Sequence, residues 1–160
     1  FNISEINKWK KIYYPKSQVF FKIGNNKTSL ERYDSSAFHV KEYDADYIIY
    51  NMSAIKFFGK ENINLCLDYK DMIVEENIKL YKNVEPDNYE FIYESVDDGN
   101  SIAYITDLEI DKGKIRIYCV DWSLVTEEKR GYVDNLSYDI SSDRFDNWVK
   151  NEAHWTYSKG

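Results

Sequence analysis

Residues 102–110 and 114–122 alternate apolar and polar side chains on either side of Asp111-Lys112-Gly113, and no other stretch restricts the fold as much. A period of two marks half-buried strands, and Asp followed by Gly is turn chemistry. The segment therefore predicts a β-hairpin with Gly113 in the left-handed position. If Ile110 faces Ile115, then Leu108 meets Ile117 and Thr106 meets Cys119 on one apolar face. On the other face Glu109 meets Arg116 near the tip as an opposite-charge pair, while Ile105 meets Val120 and Ala103 meets Trp122 at the base. Apolar side chains on both faces of the base place the hairpin at the centre of an antiparallel sheet. Ile105, Val120 and Trp122 then lie under the terminal helices, and the tip stands in water.

The flanking sequence extends this pattern. Residues 89–96 lead through Asp97-Asp98-Gly99-Asn100 into the hairpin, which makes a three-strand meander. Upstream, residues 17–24 and 27–33 read as a second hairpin around Gly24-Asn25-Asn26, and residues 37–43, 46–58, 63–69 and 72–81 continue the strand-like texture. Residues 82–88, with Pro86, read as a loop. A short N-terminal helix is predicted over residues 4–14, capped by Ser4 and stopped by Pro15, with Ile6, Trp9 and Tyr13 at helical spacing. A C-terminal helix opens at Ser141 or Ser142, with Asp143 in its first turn and Phe145, Trp148, Val149 and Ala153 on one face. The expected architecture is α+β: a mainly antiparallel meandering sheet with a short N-terminal helix and a C-terminal helix packed on it. At 160 residues the chain suits a single domain over 1–160. A domain of that size buries roughly 68–70% of its unfolded surface.

Charge narrows the partners. The net charge is −7, and the excess lies entirely in the second half: residues 1–80 carry 12 basic and 11 acidic side chains, residues 81–160 carry 9 and 17. Such a surface repels phosphate backbones and anionic lipid, so neither nucleic acid nor membrane is expected, whereas a basic protein partner is allowed. Solubility alone explains the same charge. No hydrophobic run reaches membrane-spanning length and no signal peptide is visible, so a cytoplasmic location is expected, although a start at Phe1 leaves room for a trimmed leader. Cys66 and Cys119 are too few for a disulfide scaffold and lack zinc-site spacing. Both are expected as small buried hydrophobes, with one long-range disulfide as the alternative. The sequons at Asn2, Asn26, Asn51 and Asn135 would be glycan acceptors in a secreted eukaryotic protein, and an Asn-rich chain also produces them by chance.

No catalytic signature is present. The two histidines, His39 and His154, are too far apart in sequence to form a helical ligand pair, and there is no phosphate loop, dinucleotide glycine series or nucleophile elbow. Neither a metal nor a cofactor is expected. Asp44 with Asp46, and Asp107 with Glu109, would each share one side of an extended strand, the arrangement a carboxylate pair needs to share a proton or hold a cation. Trp122, Trp148, Trp155, Tyr89, Tyr93, Tyr104 and Tyr118 are candidates for a groove or an interface, and most are expected in the core.

In size and in the acidity of its second half (Asp97, Asp98, Asp107, Glu109, Asp121, Asp134, Asp139, Asp143 and Asp146), the chain resembles small immunity proteins of bacterial toxin systems, including contact-dependent inhibition. The resemblance implies a non-catalytic protein that neutralises a basic toxin domain through a tight complex. The residues first expected at such an interface are Asp97, Asp98, Asp107, Glu109, Asp111 and Arg116. A different class of function, a small ligand-binding or enzymatic β-domain with a carboxylate- and aromatic-lined pocket, is the alternative.

Overall fold

A computed structural model of the chain describes residues 11–14, 17, 19–25, 31–44, 46 and 48–153. Its strands are β1 (Lys11–Tyr13), β2 (Phe20–Asn25), β3 (Ser35–Lys41), β4 (Ile49–Gly59), β5 (Pro86–Ile92), β6 (Ile102–Ile110), β7 (Gly113–Asp121) and β8 (Asp134–Ser142). They form one antiparallel sheet in the order β1-β2-β3-β4-β8-β7-β6-β5. Helices α1 (Ile63–Leu80), α2 (Leu124–Arg130) and α3 (Asp143–Trp148) complete the fold, α3 running on into a π-helical turn, Val149–Ala153. The α+β, antiparallel expectation therefore stands, but the helices are placed differently.

The largest difference is α1. Residues 63–69 and 72–81, expected as strands, form one 18-residue helix, because Cys66, Lys70, Ile73 and Asn77 fall three or four apart and make a buried stripe. Two of those four are polar, which hides the stripe from a reading of apolar residues alone. Each finds a partner: Lys70 Nζ donates to Thr106 Oγ1 at 2.8 Å, and Asn77 Oδ1 accepts from the Tyr138 hydroxyl at 2.9 Å. The stripe packs on Leu108, Ile115, Ile117, Cys119 and Leu136, the central core. Cys66 and Cys119 are joined in a disulfide that ties α1 to β7, so the expectation of two separate thiols is corrected.

At the N-terminus, residues 11–13 pair with β2 as a strand, and the rest of the helix expected over residues 4–14 lies outside the described residues. Strand β2 pairs with β1 and β3, residues 31–33 of the hairpin strand expected over 27–33 are not in a strand, and the rest of that stretch lies outside the described residues. Residue Pro86 starts β5 instead of sitting in a loop, a place where its missing N–H costs no ladder bond on an outermost strand. Ser142 caps α3 by accepting from Phe145 N, and Phe145 and Trp148 are buried against Phe20.

The central hairpin is present, slipped by two residues from the expected register. Ile110 faces Gly113, Leu108 faces Ile115 and Asp107 faces Arg116, so each side chain keeps its face while its partner changes. The left-handed residue is Lys112 (φ 61), not Gly113. Glycine is required at 113 for another reason: a Cβ there would collide with the Ser141 carbonyl oxygen of β8. The tip is thus held against β8, and only Glu109, Asp111 and Lys112 stand exposed. At the base, Trp122 lies between Tyr93 and Tyr132, not under a terminal helix.

Candidate functional site

Side chains alternate across the sheet, so the residues of β7 that point away from α1 are Lys114, Arg116 and Tyr118. Register brings them beside Asp139 and Ser141 of β8, then Ser53 and Asn51 of β4, then His39 of β3. In the other direction lie Asp107 and Ile105 of β6 and Tyr89 and Phe91 of β5. Two clefts of about 340 and 270 Å³ open on this face and share Arg116, Tyr118 and Asp139 as common floor. Together they form a groove. Tyr89, Phe91 and Tyr93 wall its β5 end, and Phe145, Asp146 and Val149 wall the other.

A chain of polar contacts crosses the floor. Asn51 Nδ2 donates to the Ile140 carbonyl, which fixes its amide, so the 2.8 Å contact from Oδ1 to His39 Nδ1 requires a proton on Nδ1. His39 Nε2 is then the acceptor for the Tyr14 hydroxyl at 2.7 Å. Burial lowers the imidazole pKa to about 4 despite the Asn51 hydrogen bond, so at neutral pH the ring is uncharged with both nitrogens engaged. It is not a free base. Ser53 and Asp139 continue the chain, and burial raises the Asp139 carboxyl although Ser53, Arg116 and Lys22 pull the other way.

Arg116 is held in a fork by Asp107: Nε to Oδ1 at 2.8 Å and Nη2 to Oδ2 at 2.7 Å, with Nη2 also donating to the Tyr89 hydroxyl at 2.7 Å. Burial opposes charge on Asp107, but the Arg116 hydrogen bonds win and hold its carboxyl below the usual range. Tyr118, beneath the groove, has its phenol pushed up to about 12 by burial. Among the described residues no cluster of His, Cys, Asp or Glu is arranged to hold a metal ion.

The six residues expected at an interface fall in three separate places. Asp107 and Arg116 sit in the groove, paired with each other instead of Arg116 with Glu109. Glu109 lies opposite Lys114, and Asp111 is exposed at the hairpin turn. Asp97 and Asp98 are exposed and also engaged within the fold: Asp97 accepts from Arg130 Nε at 2.7 Å and Asp98 accepts from the Ser123 hydroxyl at 2.6 Å, which fastens the β5–β6 loop to α2. Asp44 accepts from Asp46 N in a turn, so that carboxylate pair is local turn chemistry. His154 and Trp155 lie outside the described residues. Sequence reasoning missed Asp139, Ser53, Asn51 and His39 as one group. The available signal was the polar alternation Asn135, Ser137, Asp139, Ser141, which places four polar side chains on one face of a strand. No family model, no curated protein and no solved structure matches the chain.

Proposed function

We propose that the chain is a non-catalytic binding protein that captures a basic protein partner along β5, in the manner of an inhibitor or immunity protein. The observation that supports this reading most is the state of β5. It is one of the two edge strands, all seven of its residues are exposed, and Tyr89, Phe91 and Ile92 are 38, 51 and 50% accessible. The outward N–H and C=O groups of an edge strand can template another strand, and beyond Pro86 the Tyr89–Ile92 stretch leaves them beside exposed apolar side chains. Asp87 and Glu90 on the strand and the neighbouring Asp71 favour a partner segment carrying Lys or Arg. The Cys66–Cys119 bond favours an oxidising compartment over the cytoplasm expected from sequence. Among the described residues no helix is long and apolar enough to cross a membrane.

The test is affinity capture from the source organism with wild-type protein and with Phe91→Lys, followed by mass spectrometry. The reading expects a basic protein retained by the wild type and lost with the variant; equal retention by both would refute capture at β5. A second reading, a small-ligand domain, is favoured by the groove beside β5.

A further inference from the structure

The charges along the groove cancel. Arg116 and Lys114 line the two clefts together with Asp139 and Asp146. Just outside them Asp107 holds Arg116, and Lys22, opposite His39 on the same face, attracts Asp139. Three cations thus meet three carboxylates, and a charged ligand of either sign gains nothing from the balance. Asn51, Ser53 and Ser141 add uncharged hydrogen-bonding groups to the floor. One strong donor is also left over. Arg116 spends Nε and Nη2 on Asp107 and Tyr89, and among the described residues the two N–H groups of Nη1 have no hydrogen-bond partner, on a side chain that is 37% exposed. Asp139 lies directly across the β7–β8 ladder from Arg116 without being ion-paired to it, so a donor and an acceptor line the same space.

Beside this floor stands a row of rings. Tyr89 and Phe91 share one side of β5, about 7 Å apart along the strand. Tyr93 follows, its ring 5.0 Å from that of Phe91. Tyr89 and Phe91 are 38 and 51% exposed, so the row offers ring surface to a ligand. A pyranose sugar carries both complements: a face of C–H groups that packs on an aromatic ring, and a rim of hydroxyls that each accept from a guanidinium and donate to a carboxylate.

We infer that the groove binds a neutral saccharide, its C–H face against Tyr89 and Phe91 and its hydroxyls on Arg116 Nη1 and Asp139. This rests on the reading of the groove as a ligand site and is independent of capture at β5. The joined clefts, about 340 and 270 Å³, give room for more than one sugar ring.

The probe is a printed array of neutral, acidic and amino oligosaccharides, followed by calorimetry of the best-retained neutral one with wild-type protein, Phe91→Ala and Arg116→Lys. The lysine keeps the charge and removes the Nη1 donors. The inference expects neutral saccharides to be retained, with affinity at least about tenfold weaker in each variant. Near-UV circular dichroism of Arg116→Lys establishes that its rings remain packed; if they do not, Phe91→Ala, at a half-exposed site, decides alone. A folded variant of either kind that binds as tightly as wild type would overturn the inference. Retention confined to charged glycans, and lost in Phe91→Ala, would overturn it while leaving a ligand groove. No retention of any glycan would also overturn it, and the ligand reading falls as well if a thermal-shift screen of neutral single-ring compounds gives no stabilisation that Phe91→Ala removes.

Discussion

His39 and Glu127 show how a single buried group sets the response to pH. His39 is 5% accessible and stays neutral down to about pH 4, against 6.5 for a free imidazole, so between those values the unfolded chain binds the extra proton. Its contribution is complete above pH 6.5 and is lost as pH falls towards 4, up to about 3 kcal/mol. Urea unfolding across this range should show that slope in the wild type and its loss in His39→Gln. Glu127 has the opposite sign. It is 2% accessible with Oε1 unpartnered, and burial, with Asp134 nearby, raises its carboxyl. The folded state therefore holds the proton more tightly than the unfolded chain, and ionisation costs stability as pH rises past the ordinary 4.5. Glu127→Gln should be more stable than wild type at pH 7, by about 1 kcal/mol, and the gain should shrink on acidification. Both residues were visible in the sequence as ordinary His and Glu. Their roles come from partners on other elements, Asn51 and Tyr14 for one and Asp134, Glu61 and Lys60 for the other. The same holds for Asp97 and Asp98, whose acidity was legible and whose engagement by Arg130 and Ser123 was not.

At the scale of elements, alternation along residues 102–122 was enough to find the hairpin and assign its faces, because a side chain's face depends only on parity. The pairing partner depends on turn geometry, and there Lys112 took the positive φ that glycine was expected to take. Gly113 answers to a close approach by β8 that no local pattern announces. Gly113→Ala should cost about 2 kcal/mol or more in equilibrium unfolding, because the contact is with backbone and cannot be relieved by a rotamer change. Helix α1 was read as strand because polar Lys70 and Asn77 occupy its buried stripe, with hydrogen-bond partners that sit on β6 and β8. The disulfide spans 53 positions and joins α1 to the sheet. The loop-entropy relation gives about 4 kcal/mol for a closure of that length, so Cys66→Ser with Cys119→Ser should lower the urea midpoint sharply. An unchanged midpoint would mean that α1 is held by packing alone.

For the whole molecule, asymmetry of the sheet is the organising fact. One face is covered by α1 and sealed around Ile115, Ile117 and Leu136, whereas the other carries a polar floor and ends at the exposed edge strand β5. The acidic half-chain was legible from composition, but much of it is spent internally: Asp97, Asp98 and Asp107 all have partners within the fold. Charge steering should then come from Asp87, Glu90 and Asp71 beside β5. Association with a basic partner should slow several-fold as salt rises from about 0.05 to 0.5 M, read by stopped-flow fluorescence, with dissociation little changed. The most direct measurement of partner capture is amide hydrogen exchange on the free protein and on its complex with the captured partner. Strand addition predicts that β5 amides exchange fast in the free protein and slow by at least tenfold in the complex, while α2 is unaffected; unchanged β5 exchange with protection appearing elsewhere would contradict it.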